Sequence, residues 1–374
     1  MNWDRYRELF PVTERYIFVN HAGVAPLPLP TCEAIKRFAE EACRSGSVNY
    51  GRWMGIVEET RELLAEMLNA SPREIAFVKN TTHGILIAAN GVRWREGDNV
   101  IITDAEFPAN VYPWLNLRRR GVEVRFARQS PDGRIPFEEI EKLVDERTRV
   151  ISISFVEFAT GFRNDLRRIG EMCRERGIIF VVDAIQGLGV IPLDVREFKI
   201  DILSSDSHKW LLGPEGIACF YCREEVLDEI DNPNLGWMSV VDEEDYLNYK
   251  LVQKGDARRF EEGSYNTMGI IALNASLKLL MEIGVDRIEG RVLGLLDILI
   301  DGLKRKGYRI ISPLGSGERS GILSFVKEGV DSDGIVKMLR ENGVIAACRA
   351  GYIRVSPHFY NSEGEMRRIL ELLP

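Results

Sequence analysis

The chain has 374 residues, of which 45% are hydrophobic and 28% are charged. These fractions are typical of a globular protein and exclude a disordered or collagen-like chain. The formal net charge of −8 argues against a nucleic-acid partner, because such proteins carry a basic face. No apolar run approaches the roughly 20 residues of a membrane span, and residues 1–10 lack the apolar core of a secretion signal. We therefore expect a cytoplasmic protein without a membrane partner.

Six cysteines are present, and two of them, Cys219 and Cys222, form a CxxC motif. In a long chain without a secretion signal we expect reduced thiols. The motif lies in an apolar run that is typical of a strand, where residues three apart point to opposite faces. No second CxxC motif and no histidine pair completes a zinc site. The sequence therefore predicts no metal centre.

Apolar runs of strand length alternate with helical patterns between about residues 55 and 225. A helix is predicted at 165–176, with Asn164 or Asp165 as its cap. This alternation predicts an α/β domain with a mostly parallel central sheet, in which ligands bind at the carboxyl ends of the strands. The predicted strands are 74–78, 99–103, 122–127, 150–155, 178–182, 202–205 and 216–221.

The pattern changes after about residue 255. Long helices are predicted there, and they are followed by short strands and helices, which is typical of a smaller α+β domain. We predict a large domain over residues 15–255, and a small domain over residues 256–374 together with the N-terminal segment 1–14. The predicted elements of the small domain are helices at 269–283, 286–306 and 333–342, strands at 321–326, 344–347 and 353–356, and a last helix from about residue 363.

Lys209 follows the apolar run 202–205 and stands among small polar residues in the sequence SSDSHKW. Position alone favours an ordinary surface lysine, but a lysine at the carboxyl end of a strand can also form a Schiff base. Asp183 ends the apolar run 178–182, where a carboxylate is costly unless it is paired or functional. An aspartate for a pyridinium nitrogen and a Schiff-base lysine are the protein side of pyridoxal-phosphate chemistry.

Such a cofactor also requires a phosphate-binding segment. The sequence NTTHG, residues 80–84, lies between the strand 74–78 and an apolar helical pattern. Hydroxyl and backbone N–H groups at a helix N-terminus bind phosphate well. Taken alone, the segment is more typical of an ordinary threonine helix cap, so its assignment depends on Asp183 and Lys209.

These three segments occur in the order of a known family. The chain resembles class V of the fold-type I pyridoxal-phosphate enzymes, which includes aminotransferases, cysteine desulfurases, selenocysteine and cystine lyases, and relatives of isopenicillin N epimerase. The resemblance covers nearly the whole chain and implies an α/β large domain with a mostly parallel seven-stranded sheet, plus a smaller α+β C-terminal domain. It rests on VDAIQ at 182–186, SHKW at 207–210 and GPEG at 213–216, with weaker support from Thr81-Thr82 and NVYPW at 110–114.

The resemblance implies a role at the cofactor for each matching residue. Lys209 corresponds to the Schiff-base lysine and proton shuttle, and Asp183 to the partner of the pyridine nitrogen. Gln186 is similar to the residue that bonds the phenolic oxygen. Phe107 occupies the position of the ring-stacking residue, where desulfurases usually carry histidine; phenylalanine can stack but cannot transfer a proton. The implied phosphate ligands are Thr81, Thr82 and His208, with Ser205 or Ser207 as further candidates.

The resemblance also implies residues that bind the substrate and a second subunit. Arg354 matches the arginine that binds the α-carboxylate of an amino-acid substrate, and a planar guanidinium suits that task. Arg349 is a candidate second clamp, and His21 is a candidate substrate contact near the entrance. Ser264 would touch the phosphate bound by the partner chain, so the resemblance implies a homodimer with shared active sites.

Several reactions are open to this family. Aminotransferase is the leading interpretation; the alternatives are a cysteine desulfurase or related C–S lyase, and an epimerase related to isopenicillin N epimerase. A desulfurase needs a mobile thiolate on a loop before the carboxylate arginine, but only Cys348 precedes Arg354, and the connection is short. Phe158 also stands where desulfurases carry an asparagine. A lyase without a catalytic cysteine remains compatible with the sequence.

Overall fold

The computed structural model of the protein describes residues 2–374. Its strands are β1 (Ile17–Phe18), β2 (Ile75–Val78), β3 (Asn99–Thr103), β4 (Glu123–Ala127), β5 (Thr148–Ser154), β6 (Ile179–Asp183), β7 (Ile202–Asp206), β8 (Ala218–Cys222), β9 (Arg309–Ile310), β10 (Leu323–Val326), β11 (Val344–Ile345), β12 (Ala347–Arg349) and β13 (Tyr352–Val355). Its α-helices are α1 (Trp3–Arg7), α2 (Leu29–Ser45), α3 (Tyr50–Leu68), α4 (Thr81–Gly91), α5 (Tyr112–Leu115), α6 (Phe137–Glu141), α7 (Leu166–Arg176), α8 (Thr267–Ile283), α9 (Val285–Arg305), α10 (Ser332–Glu341) and α11 (Glu363–Leu372).

A seven-stranded sheet forms the centre of the molecule, in the order β2-β8-β7-β6-β5-β3-β4. Neighbouring strands from β7 to β4 are parallel, whereas β8 runs antiparallel to both β7 and β2. The predicted mostly parallel α/β sheet is therefore confirmed. Because the strands run the same way, the carboxyl ends of β3, β5, β6 and β7 meet at one edge of the sheet.

Alternate residues of each central strand face two separate apolar layers. In β6, Phe180 and Val182 pack in one layer, whereas Ile179 and Val181 pack in the other. Both faces are buried, which explains why the strand reads as a continuous apolar run. In the same way Cys219 and Cys222 of β8 are buried in opposite layers, so the two thiols of the CxxC motif do not converge.

The C-terminal part contains a four-stranded antiparallel sheet in the order β12-β13-β10-β9. The start of the chain packs onto this part: β1 pairs in parallel with β11, and the rings of Phe10 and Tyr360 stack 3.8 Å apart. Arg7 of α1 also forms an ion pair with Glu365 of α11. Strand β1 thus pairs with the C-terminal part although it lies within the predicted large domain, residues 15–255, and the division of the chain into domains stays a prediction.

Within residues 2–374, no single helix is long and apolar enough to cross a membrane. Helices α8 and α9 together have the required length and composition, but they meet at a bend of 78°. Much of α8 is buried against α2 and α3.

Helix α4 lies close to the sheet because Gly84 has no side chain. A Cβ atom at this position would stand 2.3 Å from Oγ of Ser204 in β7 and 2.9 Å from the ring of Phe220 in β8. Asn80 caps the helix, since its Oδ1 accepts a hydrogen bond from the N–H of His83 at 2.9 Å. The first turn of α4 is therefore held beside the carboxyl end of β7, where the predicted cofactor site lies.

Candidate active site

A cleft of about 290 Å³ lies at the carboxyl ends of the central strands. Its walls are formed by the loop after β1, the start of α4, the loops after β3, β5, β6 and β7, and the β12–β13 hairpin. The residues that line it are Ala22, Gly23, Val24, Asn80, Thr81, Thr82, Phe107, Ala109, Phe158, Asp183, Ile185, Gln186, Asp206, His208, Lys209, Arg349 and Arg354. Most of the predicted site residues are thus brought together.

Asp183 and Lys209 form the charged centre of the cleft. Asp183 is the last residue of β6, and its Oδ1 accepts a hydrogen bond from the N–H of Ile185 at 3.0 Å. Burial raises the pKa of Asp183 to about 6, although the nearby Lys209 lowers it. Burial lowers the pKa of Lys209 to about 8, although Asp183 raises it. A lysine with this pKa is partly neutral near physiological pH, as a nucleophile or base requires.

The segment after β7 links Lys209 to the first turn of α4. The N–H of Asp206 donates to Oγ1 of Thr81 at 2.9 Å. Nδ1 of His208 lies 2.9 Å from Oδ1 of Asp206, and the N–H of Ser207 donates to the same oxygen at 2.8 Å. These contacts place Thr81, Thr82 and His208 along one wall. Backbone N–H groups at the start of a helix suit an anion.

Gln186 and Phe107 occupy two other walls. Nε2 of Gln186 donates to the carbonyl of Ala22 at 3.1 Å, and its Oε1 accepts from the indole of Trp210 at 3.3 Å. The second N–H of that amide is left for a ligand. The ring of Phe107 lines the cleft yet is 46% exposed. Nζ of Lys209 lies 5.8 Å from the centre of this ring, so a flat ligand joined to Lys209 would reach it.

Two arginines project into the cleft from the hairpin of β12 and β13. In the antiparallel pairing of these two strands, Ala347 lies opposite Arg354 and Arg349 lies opposite Tyr352. Both arginines therefore lie on the same face of the hairpin. The turn is tight because Ala350 and Gly351 adopt positive φ angles of 50° and 80°. A two-residue turn of this kind contains no further residues that could form a mobile loop between the strands.

Arg354 is only 2% exposed and has no carboxylate partner among residues 2–374. Its Nη1 donates to the carbonyl of Phe158 at 2.7 Å, while its buried Nε has no hydrogen-bond partner. Burial, together with the nearby charge of Arg349, lowers its pKa to about 9. A buried guanidinium without an acidic partner is costly, and an anionic ligand would complete the site.

Cys348 points away from the cleft. It pairs with Ile353 in the hairpin and therefore lies on the face opposite Arg349 and Arg354. Burial and the neighbouring carboxylate of Asp333, a residue of α10, raise the pKa of its thiol. None of the six cysteines, all of which lie within residues 2–374, lines the cleft.

His21 and Ser264 lie outside the cleft, as do the further phosphate-ligand candidates Ser205 and Ser207. His21 is fully buried, and both of its ring nitrogens are engaged, with the carbonyl of Ser356 and the hydroxyl of Tyr360, each at 2.8 Å. Burial lowers its pKa to about 4. The structure thus leaves His21 no free nitrogen for a substrate, and the neighbouring Ala22, Gly23 and Val24 line the entrance instead. Ser264 lines a separate small cavity of about 70 Å³.

Sequence reasoning did not single out Asp206, whose Oδ1 lies beside Nδ1 of His208 and accepts a hydrogen bond from the N–H of Ser207 at the end of β7. The signal was present, because Asp206 ends a buried strand as Asp183 does. Phe158 meets the ring of Phe107 edge to face, with ring centres 5.3 Å apart. Phe158 thus fills the position of the desulfurase asparagine with an apolar ring.

The groups that line the cleft fit pyridoxal phosphate by their chemistry. Hydroxyl, imidazole and helix N–H donors on one wall suit a phosphate, and a buried carboxylate suits a pyridinium nitrogen. Lys209 supplies the amine, and the unpartnered Nε of Arg354 leaves a donor for the carboxylate of an amino acid.

Comparison with known proteins identifies related sequences and structures that agree with one another. A probable cysteine desulfurase from Methanothermobacter thermautotrophicus is 31% identical, over 100% of this chain and 98% of that protein. The apo structure of a cysteine desulfurase from Thermococcus onnurineus NA1 matches with a TM-score of 0.89 at 26% identity, covering 98% of this chain and 95% of that one. The cystine C–S lyase C-DES, solved with its product cysteine persulfide, shares the fold with a TM-score of 0.89 at 23% identity, covering 97% of this chain and 98% of that one.

The relatives confirm the cofactor and favour one of the alternative reactions. C-DES has also been solved with glycine linked covalently to its pyridoxal-phosphate cofactor, and the predicted cofactor and fold-type I architecture agree with this. The names of the relatives fit C–S bond cleavage better than plain transamination. The family model for class V aminotransferases matches residues 17–368. The chain therefore belongs to the class V aminotransferase family of pyridoxal-phosphate enzymes.

Proposed function

We propose that this protein cleaves the C–S bond of a sulfur-containing L-amino acid, as a C–S lyase of the cysteine desulfurase group. The amino-acid substrate is supported above all by Arg354, which is buried in the cleft beside Lys209 without an acidic partner. The choice of reaction is supported by relatives named cysteine desulfurase. For L-cysteine, loss of the β-sulfur followed by hydrolysis yields pyruvate, ammonia and sulfide.

Each role follows from a position in the cleft. Pyridoxal phosphate, when bound, supplies an electron sink for the charge that develops at Cα of the substrate. Thr81, Thr82 and His208 bind its phosphate, Asp183 pairs with its ring nitrogen, and Gln186 donates to its phenolic oxygen. Phe107 covers the ring and shields it from water.

Lys209 both attaches the cofactor and moves the substrate's α-proton. Its lowered pKa, about 8, makes the neutral Nζ available as a base near physiological pH. Arg354 binds the α-carboxylate and thereby orients the Cα–H bond toward that nitrogen. Arg349, on the same face of the hairpin, binds an anionic group farther along the substrate.

The position of Cys348 supports one of two kinds of sulfur chemistry. Because this thiol lies on the face of the hairpin away from the cleft, it cannot accept the sulfur of a bound substrate. We therefore assign the sulfur to a product that leaves the cleft, as free sulfide from cysteine or as a persulfide from a disulfide substrate. A reaction of this kind would not consume a keto acid, so we expect repeated turnover without one.

An assay on the purified holoenzyme with excess amino acid and no keto acid tests this reaction. L-cysteine, L-cystine and L-alanine are added separately without keto acid, and sulfide, persulfide, keto acid and the cofactor spectrum are recorded. We expect sulfur release with cysteine or cystine, repeated turnover and a retained aldehyde cofactor. Conversion to the pyridoxamine form with one keto acid per site would establish an aminotransferase instead.

Cys348→Ser provides the matched control for the path of the sulfur. We expect this variant to keep the wild-type rate of sulfur release within about a factor of two, because the thiol faces α10 and lies outside the cleft. A loss of roughly a hundredfold or more, the size of effect seen on removing a catalytic group, would show that the enzyme passes its sulfur through Cys348. Cys173→Ser is unsuitable as a control because that thiol is packed in the core.

We also propose the homodimer that the sequence implied, with Ser264 directed to the cofactor phosphate of the partner subunit. Support comes from the segment 235–252, where Leu247, Tyr249 and Leu251 are 89%, 93% and 73% exposed. An apolar patch of this kind marks an interaction surface. The cytoplasmic location stays a prediction.

Sedimentation of Leu247→Glu/Tyr249→Glu, measured beside wild type, tests the dimer. We expect wild type to sediment as a dimer and the double variant to shift toward monomer, because each change places a charge in an apolar interface. Lys337→Ala/Arg340→Ala, which changes two exposed residues of α10 and likewise lowers the net charge by two, serves as a charge-matched control away from this segment. A wild-type monomer, or an unchanged dimer in the double variant, would contradict the assignment of this surface.

A further inference from the structure

Two glutamates without a role in the mechanism above are joined by hydrogen bonds behind Asp183. Glu106 follows β3, Glu157 follows β5, and both are buried. Ser154 pairs with Asp183 in the sheet and donates to Glu106 from its N–H at 2.8 Å and from its hydroxyl at 2.5 Å. The amide of Asn164 donates to the carbonyl of Ser154 at 2.8 Å and to Oε1 of Glu157 at 2.9 Å.

The two glutamates differ in their hydrogen-bond partners. Glu106 accepts two hydrogen bonds from Ser154 and a longer one, 3.5 Å, from the hydroxyl of Thr103. Several donors stabilise an ionised carboxylate. Oε2 of Glu157 is buried without any hydrogen-bond partner. A charge on such an oxygen would be costly, so the geometry favours a neutral carboxylic acid at Glu157.

No cation compensates this pair. Neither glutamate forms an ion pair with a lysine or arginine in residues 2–374. The charged groups facing the pair are Asp183 from β6 and Asp104 from the loop after β3. The remaining polar neighbours are the neutral side chains of Ser154, Asn110 and Asn164. Burial raises the pKa of Glu106 to about 7 and holds that of Glu157 well above its usual range.

We propose that Glu106 is a positioning residue whose carboxylate charge, placed behind Asp183, tightens the binding of the proton shared by Asp183 and the cofactor ring nitrogen. Glu157 remains a neutral acid. A nearby negative charge raises the proton affinity of an acidic group. The ring nitrogen thereby stays protonated to higher pH, which preserves the electron sink. This inference rests on the proposed role of Asp183 and adds a residue that acts through it.

The protonation of the ring nitrogen can be measured directly by NMR of the holoenzyme, reconstituted with pyridoxal phosphate that carries an isotope label at that nitrogen. Asp183→Asn defines the chemical shift of the unprotonated ring. For Glu106→Gln we expect the midpoint of ring-nitrogen deprotonation to fall by about one pH unit, since one nearby charge is removed. For Glu157→Gln we expect the wild-type curve, because one neutral group replaces another.

Asp201→Asn is the matched control. Asp201 is a buried carboxylate at the opposite, amino-terminal end of β7, where it accepts a hydrogen bond from Phe180 and pairs with Arg223. This control should leave the ring-nitrogen curve unchanged. If Glu106→Gln does not fold, Ser154→Ala removes the hydroxyl donor to Glu106, and the expected shift is in the same direction and smaller.

Two results would overturn the inference. A Glu106→Gln curve that overlays wild type at every pH would remove Glu106 from the control of the ring nitrogen. A shift in Glu157→Gln as large as that in Glu106→Gln would show that Glu157 carries charge. Either result leaves the assay of sulfur release unaffected, whereas failure of the proposed function would appear as absent sulfur release by wild type with its NMR curve intact.

Discussion

Replacing Lys209 with alanine is expected to lower turnover by at least about 1,000-fold, within the range that general acid–base groups contribute, and to abolish covalent attachment of the cofactor. The expected loss is large because one nitrogen serves both as the attachment point and as the base. Lys209 is buried with a pKa lowered to about 8, and no other lysine is among the described residues that line the cleft. Asp183, Thr81 and His208 remain in place, so the variant should still bind pyridoxal phosphate, though reversibly.

Borohydride reduction followed by peptide mapping is the measurement for this prediction. In wild type the label should lie on the peptide that contains Lys209, and in Lys209→Ala it should disappear. Lys79→Ala is the control, because Lys79 precedes the first turn of α4 but is exposed and paired with Glu262. A label that persists on another lysine in Lys209→Ala would refute the assignment.

Replacing Arg354 with alanine should raise KM for the amino acid by roughly a hundredfold or more. Removal of one partner from a buried charge pair costs about 2–5 kcal/mol, and about 1.4 kcal/mol corresponds to a factor of ten. The buried Nε of Arg354 has no hydrogen-bond partner within the chain. Its hydrogen bond is therefore available to the substrate carboxylate and contributes little to the stability of the fold. Arg354→Ala should therefore unfold at nearly the wild-type temperature.

Titration of the cofactor spectrum with substrate, beside a thermal unfolding curve, measures both expectations. Arg354→Lys should recover only part of the affinity, since an ammonium cannot make two parallel bonds to a carboxylate. Arg349→Ala is the paired variant from the same hairpin face, and its effect should depend on the substrate: larger for cystine, which has a second carboxylate, than for alanine. Wild-type affinity in Arg354→Ala would rule out the carboxylate role.

The strands and the candidates at their ends were predictable because both follow from local pattern. A run such as 178–182 is continuously apolar because both faces of β6 are buried, and the polar residue that ends it, Asp183, must lie at the sheet edge. The same reasoning applies to Lys209 after β7 and to Thr81 after β2. Parallel strands bring such ends together, so the cleft could be expected before any distance was known.

Other features depend on residues that are far apart in the sequence, and the local pattern carries no sign of them. His21 is engaged by Ser356 and Tyr360, which lie more than 300 positions away. Its burial and its lost availability for a substrate follow from that distant packing. Likewise, only the register of β12 against β13 shows that Cys348 faces away from Arg354.

The sequence by itself determined the fold class, the cofactor family and the residues at the strand ends, because apolar periodicity and short motifs are local properties. The tertiary structure alone decided which charges lack partners. Arg354 is buried without a carboxylate, and Glu157 is buried with one oxygen unpaired. Whether a charged side chain is compensated depends on every element packed around it. That Arg354 lacks an acidic partner, and that Glu106 and Glu157 lie behind Asp183, therefore emerged only from the folded chain.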